Sequence, residues 1–362
     1  MKIDLLKSFF SFYLSNISIE KNEININEIK TILIMSNTAI GDTLFATPAI
    51  RLIKQHYPSK KIIALLNPKN SQLFETNPYI DQILTYTGKW RDFFKTLRVL
   101  RKLKVDLVFI MHSNEPQASP LAYFSKSKYV IKIPNDKNEF NHLHYNQTES
   151  LELGMHFIDA RLKQLQYIGI TSVDYKMDLF IKSSSYNIID ERLKIGVRYI
   201  GIQVGASTKS RMYPVELWAS LVEKILAYDD LITIILTGAE QDRAITNELQ
   251  KKISNNRVKN FSGIYDICTA VALIDRLALL ITPDTGPLHI AASVETPTIA
   301  FSVAGSSIES NPRDGLVPHI FIQKPKTCIP CIDKKCQNPY CMRQILVDEI
   351  FTEFTKIIKL YY

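Results

Sequence analysis

Four loops bring together residue types able to carry out group-transfer chemistry. The first, Asn37-Thr38-Ala39-Ile40-Gly41-Asp42, follows a continuous apolar run and sets a carboxylate at the start of a helix. An Asp there either caps the helix, its commonest job, or acts as a general base toward a hydroxyl. The residues alone favour the cap. The second loop, Gly205 to Arg211, offers hydroxyls at Ser207 and Thr208 and cations at Lys209 and Arg211. That composition suits phosphate oxygens, which Arg holds bidentately; a solvated loop reads the same way. In the third, Gly238-Ala239-Glu240, the carboxylate either accepts both hydroxyls of a ribose or faces water. The fourth, Pro283 to His289, leads into a helix beginning at Pro287, whose free N–H groups form an anion site. Asp284 and Thr285 can cap that helix and His289 falls in its first turn. Gly286 has no evident packing reason, so a ligand site is the stronger reading here.

Other chemistries lack their signatures. G-x-G-x-x-G and the phosphate-binding G-x-x-x-x-G-K-[ST] are absent, which argues against a standard dinucleotide oxidoreductase or a Walker-type NTPase. H-E-x-x-H, G-x-S-x-G and the EF-hand pattern are missing too, and no Asp-x-Asp pair is present to hold a metal-bound diphosphate. Among the remaining histidines (His56, His112, His142, His144, His156 and His319), only His112, in the segment Met111-His112-Ser113-Asn114 after a buried run, can be placed facing the cleft. His112 and Asn114 are therefore candidate acceptor contacts, with Thr38 and Gly41 beside Asp42.

The elements that must position these loops alternate. Strands are expected at 31–36, 61–66, 83–86, 105–111 and 130–133, with helices at 43–56, 90–103 and 151–167. After a Ser-rich linker from Ser183 to about Arg198, strands at 199–204, 231–236, 277–281 and 298–302 alternate with helices at 214–227, 241–253, 266–276 and 287–294. A last helix covers 347–362. Such alternation gives parallel sheets with right-handed crossovers, and ligands then sit at the carboxyl ends of the strands. The expected fold is α/β, two Rossmann-like doubly wound domains facing a cleft. The first covers 1–185, with an extension at 1–30, and the second covers 186–345.

Composition agrees with this and excludes disorder: of 362 residues, 46% are hydrophobic and 22% charged, a globular balance. Glycine is scarce, 12 in all, roughly half the usual share of about 7%. Four of the twelve (Gly41, Gly205, Gly238 and Gly286) lie in loops that follow strands. The net charge is +8, and seven cations from Lys89 to Lys104 lie on and beside one helix, Trp90–Leu103. That helix either meets lipid headgroups or presents a solvated basic face. The apolar stretch 5–14 is a poor signal peptide; it reads as a helix packed on the first domain or as a surface helix touching a membrane. No apolar run reaches the ~20 residues of a membrane span. Cys328, Cys331, Cys336 and Cys341 crowd together while Cys268 stands alone, which points to a reducing compartment with one local cluster. Their spacing permits a structural metal site.

The segments ILIMSNTAIGDTLFATPAI, NPYIDQIL, GIQVGASTKSRMYP, LTGAEQDR and PDTGPLHIAASVETPTIAF, in this order over residues 32–301, resemble glycosyltransferase family 9, the ADP-heptose:lipopolysaccharide heptosyltransferases. CIPCIDKKCQNPYCM adds a cysteine cluster seen in part of that family. The resemblance implies the GT-B fold, with acceptor on the first domain, nucleotide sugar on the second, and a last helix, 346–362, returning to the first domain. It makes Asp42 the catalytic base, reversing the preference for a cap. It also makes Arg211 the cation on the diphosphate, Glu240 the ribose contact, and Asp284, Thr285, Gly286 and His289, with Ser207 and Thr208, the donor site. Arg211 stands where the family usually has Lys, Tyr213 where Trp is usual, and Glu295 where Gly is common.

The implied activity is inverting, metal-independent transfer of heptose from ADP-heptose to the lipopolysaccharide or lipooligosaccharide inner core. No cofactor is required, an ADP-sugar is the donor substrate, and the enzyme works in the cytoplasm at the inner face of the cytoplasmic membrane, without nucleic acid. One alternative keeps the fold but uses another nucleotide sugar or acceptor. Another, of a different class, is a zinc-bearing basic nucleic-acid-binding protein; no basic–aromatic recognition motif accompanies the cysteines.

Overall fold

The structure, a computed structural model, describes residues 2–19, 23–133, 138–146, 154–303, 307–313, 315–332 and 335–361. By its contacts the chain divides into two units, Met1–Phe180 and Ile181–Tyr362. The first contains α1 (Lys2–Leu14), β1 (Thr31–Ser36), α2 (Ile40–Leu44), α3 (Thr47–His56), β2 (Lys61–Leu66) and β3 (Gln82–Thr85), followed by α4 (Trp90–Leu103), β4 (Leu107–His112), α5 (Ala118–Phe124), β5 (Tyr129–Ile131) and α6 (Phe157–Gln164). Its five strands are all parallel, in the order β3-β2-β1-β4-β5. β1 is apolar almost throughout and buried on both faces, as a central parallel strand must be.

The second unit contains α7 (Ser183–Asp190), β6 (Arg198–Gln203), α8 (Val215–Tyr228), β7 (Ile232–Thr237), α9 (Arg243–Ile253), β8 (Val258–Asn260) and α10 (Ile267–Asp275), followed by β9 (Leu279–Pro283), α11 (Gly286–Ser293), β10 (Thr298–Ser302), α12 (Ser307–Ser310), β11 (His319–Gln323) and α13 (Val347–Tyr361). Its six strands are also parallel, in the order β11-β10-β9-β6-β7-β8. Both units are doubly wound. In each, the winding reverses direction once, between β1 and β4 in the first and between β6 and β9 in the second. At such a reversal the loops leaving the two strands splay to opposite faces and open a crevice beyond their carboxyl ends. Those four strand ends carry Asn37–Asp42, His112–Asn114, Gly205–Arg211 and Asp284–His289.

The sequence expectations need correction in several places. The helix expected at 43–56 is two, because Pro48 starts α3 afresh and Phe45–Ala46 separates it from α2. The stretch expected as linker contains α7, which packs on α10 and is tied to it by Arg276 paired with Asp190 at 2.8 Å. The division therefore falls at Phe180/Ile181 and not at 185/186. Edge strands β8 and β11 escaped notice; β8 is only three residues, two of them polar. The helix expected from Leu151 is seen from Phe157, and 151–153 lie outside the described residues, as does Tyr362. The last helix, expected to return to the first domain, places Ile350, Phe354, Ile357 and Ile358 in the core of the second unit and packs on α8.

Candidate active site

In the first unit the β1–α2 loop holds Asp42 in the first turn of α2. The helix N-cap is Ala39, which makes no side-chain cap bond. The carboxylate is thus not engaged as a cap. It is 22% exposed and is gripped from three directions. Thr38 Oγ1 donates to its Oδ2 at 2.9 Å. His112 Nδ1 stands 2.6 Å from the same hydroxyl and 3.4 Å from Asp42 Oδ2. With Nδ1 protonated, the imidazole donates to Thr38, which donates on to Asp42. Arg161, from α6, brings Nη2 to 3.7 Å from Asp42 Oδ1 and donates to the Asp42 carbonyl at 3.4 Å.

Arg161 is buried, with its side chain 3% exposed. Its guanidinium lies 5.6 Å from the Phe45 ring and 6.0 Å from Phe157, and donates to the Phe157 carbonyl at 2.6 Å. Removal from water lowers its pKa to about 10, and the Asp42 charge opposes that fall. Burial also holds His112 below the ordinary histidine range; Asp42 pulls it up, and Arg161 and Lys132 push it further down. The imidazole is therefore neutral near pH 7, as a hydrogen-bonding orienter of a carboxylate should be.

The surrounding loops are tied by amides. Asn37 accepts from the Ser113 hydroxyl at 2.5 Å, and Asn70 donates to the Thr38 carbonyl at 3.2 Å. Gly88, at φ +72°, lets the chain pass Asn114, whose Nδ2 a Cβ would meet at 2.6 Å. Asp42, Thr38, Gly41, His112 and Asn114, all singled out from sequence, thus surround one switch point. Arg161 was missed: it lies 119 residues from Asp42, and nothing local distinguishes a helical Arg between aromatic residues from a surface one.

In the second unit, Arg211 ends a 3-10 turn, Lys209–Arg211, and donates to the Asp284 carbonyl at 3.1 Å. This joins the loop after β6 to the loop after β9, 73 residues later. Asp284, Thr285 and His289 are buried. Thr285 is the N-cap residue of α11 but makes no side-chain cap bond; its hydroxyl turns back to the Pro283 carbonyl at 3.2 Å and meets the Thr282 hydroxyl at 3.2 Å. The first N–H groups of α11 thus keep no cap from Thr285, an end suited to an anion. Thr208 meets the Ser210 hydroxyl at 2.9 Å, and Ser207 is exposed. Glu240 is exposed and pairs with Arg243 at 3.3 Å.

A second unrecognised residue is Asp242. Its buried carboxylate accepts from the Ala239 N–H at 2.9 Å, and burial raises its pKa against that bond. A Cβ on Gly205 would lie 2.2 Å from its Cγ, so the glycine and the carboxyl exclude any larger pair. The spacing Gly238-x-x-x-Asp242 carried a signal only in hindsight of the fold.

Of the cysteines, Cys328, Cys336 and Cys341 are free thiols. Burial raises the Cys341 pKa, and neighbouring Cys336 and Cys328 add to the rise. Among the described residues no three His, Cys, Asp or Glu side chains group as metal ligands would.

Comparison with known proteins agrees with the geometry. Residues 93–340 match the family described as Glycosyltransferase family 9 (heptosyltransferase). The chain is 22% identical over 343 residues to the lipopolysaccharide core heptosyltransferase OpsX of Haemophilus influenzae, covering 91% of this chain and 97% of that one. It is 24% identical over 334 residues to lipooligosaccharide heptosyltransferase 2 of Campylobacter jejuni, covering 89% and 96%. Among solved structures, a glycosyl transferase family 9 protein from Veillonella parvula superposes with TM-score 0.75 at 18% identity, over 91% of this chain and 97% of that one. The E. coli ADP-heptose lps heptosyltransferase II gives 0.73 at 15% identity, over 91% and 99%. The fold is accordingly that of the GT-B heptosyltransferases, and the chain is a glycosyltransferase belonging to family 9, the heptosyltransferase family.

Proposed function

We propose that the enzyme transfers heptose from ADP-heptose to the inner core of lipopolysaccharide or lipooligosaccharide, with inversion and without a divalent metal. The observation that carries this reading is the Asp42 carboxylate, uncommitted as a helix cap, partly open to water and oriented by Thr38, His112 and Arg161. In the proposed step Asp42 takes the proton of an acceptor hydroxyl as that oxygen attacks the anomeric carbon. The bond from that carbon to ADP breaks, and its electron pair leaves with the diphosphate. Arg211 and the N-terminus of α11 meet the growing charge, a fixed positive environment that needs no reorganisation. The same groups supply the charge a divalent cation would otherwise bring. Glu240 would leave Arg243 to accept the ribose hydroxyls, and Ser207, Thr208, Asp284 and His289 would line the donor.

Support for the sugar and acceptor comes from the relatives, whose names specify lipopolysaccharide and lipooligosaccharide heptosyltransferases, and from the solved ADP-heptose enzyme. Family membership favours this chemistry over a zinc-bearing nucleic-acid binder. We place the reaction at the membrane face that carries the acceptor. The test is turnover of purified enzyme with ADP-heptose and a heptose-deficient core acceptor, followed by ADP release and product mass, with EDTA present throughout. Transfer from ADP-heptose in EDTA is the expected result. Turnover only with a UDP- or GDP-sugar would overturn the donor assignment, and loss of turnover in EDTA restored by a divalent ion would overturn metal independence. Arg211→Ala should raise the donor KM and lower kcat, together by about 10–100-fold for one charge-assisted contact of ~1.5–3 kcal/mol; unchanged constants would remove Arg211 from the site.

A further inference from the structure

Two neighbouring helices of the first unit show apolar side chains to water. On α1, Leu6, Phe10 and Leu14 face inward: Phe10 stacks on Trp90 at 5.2 Å and packs on Phe93 and Phe124 at 5.3 and 5.4 Å. The adjoining stripe, Phe9, Phe12 and Tyr13, has the i, i+3, i+4 spacing of one face and points outward, with Phe12 81% and Phe9 57% exposed. On α4, Phe94 is 58% exposed beside the buried Phe93. Phe94, Leu97, Arg98, Arg101 and Lys102 line a shallow groove of about 400 Å3. Single exposed aromatics need no explanation, but three along one face of α1 and a fourth on α4, the helix that Phe10 of α1 packs against, ask for one.

The charge along α4 is one-sided, and the acid beside α1, Glu139, is taken up by Lys7 at 3.8 Å and the Ser11 hydroxyl at 2.8 Å. From Lys89 to Lys104 there are seven cations and a single acid, Asp92, and Arg91, Lys95, Arg98 and Lys102 are all exposed. Their spacing along α4 puts them in the same stripe as Phe94. A second copy of this chain would bring like charge against like charge across a two-fold interface. Phenylalanine offers nucleic acid a stacking surface but no base-edge hydrogen bond. Aromatic side chains beside a belt of Lys and Arg match an interface whose headgroups are anionic and whose interior is apolar.

We propose that α1 and α4 form a docking surface for an anionic phospholipid bilayer, with Phe9, Phe12 and Phe94 entering the headgroup–acyl boundary and Arg98 and Lys102 meeting lipid phosphates. The surface complements the proposed glycolipid acceptor, yet its test does not depend on sugar transfer. The full chain is co-sedimented with phosphatidylcholine vesicles and with vesicles that also contain phosphatidylglycerol, at low and high salt. Binding should require the anionic lipid and weaken as salt shortens the Debye length, about 10 Å at 0.1 M and 3 Å at 1 M. Arg98→Glu/Lys102→Glu should weaken partition by at least about 25-fold, taking roughly fivefold per cation. Phe9→Ser/Phe12→Ser should weaken it by about tenfold or more at unchanged charge. Both variants should keep the parent's melting temperature and its turnover on a detergent-dispersed acceptor.

Equal partition to neutral and anionic vesicles, or anionic binding that neither variant weakens, would overturn the proposal. Dissociation of a dimer by Phe9→Ser/Phe12→Ser, with vesicle binding unaltered, would assign the patch to a second copy instead. Failure of transfer with intact vesicle binding would count against the proposed reaction and leave this surface standing.

Discussion

Asp42→Asn separates the two roles open to this residue. Asparagine serves a helix N-terminus about as well as aspartate, so if Asp42 only supported α2, the variant would lose little beyond a charge–dipole contribution of ~0.3–1 kcal/mol. As general base, its loss should cost kcat about 10²–10⁴-fold, or roughly 3–5 kcal/mol of barrier. The structure adds a second, independent readout. Arg161 Nη2 is 3.7 Å from the carboxylate, an attraction of about 4.5 kcal/mol at an effective dielectric near 20. Water reaching the carboxylate and the remaining carbonyl contacts of Arg161 reduce the net loss to about 1–2 kcal/mol. For a unit of this size that is a fall of roughly 2–8 °C in melting temperature. The assay is steady-state transfer by ADP release, with calorimetric ADP binding and thermal melting on the same preparation. The expected result is kcat collapsed, ADP affinity unchanged within about twofold and melting lowered by several degrees. Turnover within a few-fold of the parent would refute the base assignment. A collapsed rate with unchanged melting would refute the Arg161 coupling while sparing the base.

Arg161→Met should destabilise the first unit by about 2–4 kcal/mol, because it removes a buried charge from its partner, and should lower kcat more than it raises the acceptor KM. In a double-mutant cycle with Asp42→Asn the two losses should fall short of additivity by about 1–2 kcal/mol; additive losses would deny the contact. Gly205→Ala should cost about 1–3 kcal/mol by overpacking against Asp242, and Gly205→Ala/Asp242→Ala should recover part of it in urea melts; no recovery would point to another cause. His144 is buried, with its pKa lowered to about 3, mainly by burial and then by Lys132 and His142. Its folded pKa lies below the unfolded value near 6.5, so its neutral form is accommodated above pH 6.5 and stability is lost as pH falls toward 3. At pH 5 the loss is about 2 kcal/mol, read as an earlier urea midpoint for the first unit. His144→Gln should flatten that acid dependence, and an unchanged pH slope would assign the loss to other groups.

The candidate loops of each unit were legible because parallel α/β folds place ligands where strands end, and the sequence marks strand ends with glycine and polar residues after apolar runs. Trp90–Leu103 and Thr31–Ser36 could be read to the residue because long amphipathic stripes and fully apolar runs leave little choice of element. The break at Phe45–Ala46 was not visible, since apolar residues continue through it at helical spacing and only Pro48 marks the restart. The α7 segment looked like a linker because Ser183-Ser184-Ser185 is a weak helix former, and its packing on α10 overrides propensity.

Composition and local pattern by themselves determined the class of fold, the number of units and the loops that bear polar groups. Strand order decided the rest. Only because β4 lies beside β1 does His112 approach Asp42 across 70 residues of chain, and only because β9 lies beside β6 does Arg211 reach the Asp284 carbonyl. Arg161 shows the limit most clearly. Its partners Asp42 and Phe45 are set by how α6 packs, only Phe157 being a neighbour along the same helix, and burial turns an ordinary surface-type residue into a fixed charge beside the carboxylate. A pattern with a period of two or 3.6 specifies which face of an element is buried; which elements become neighbours is settled by the packing of the whole unit.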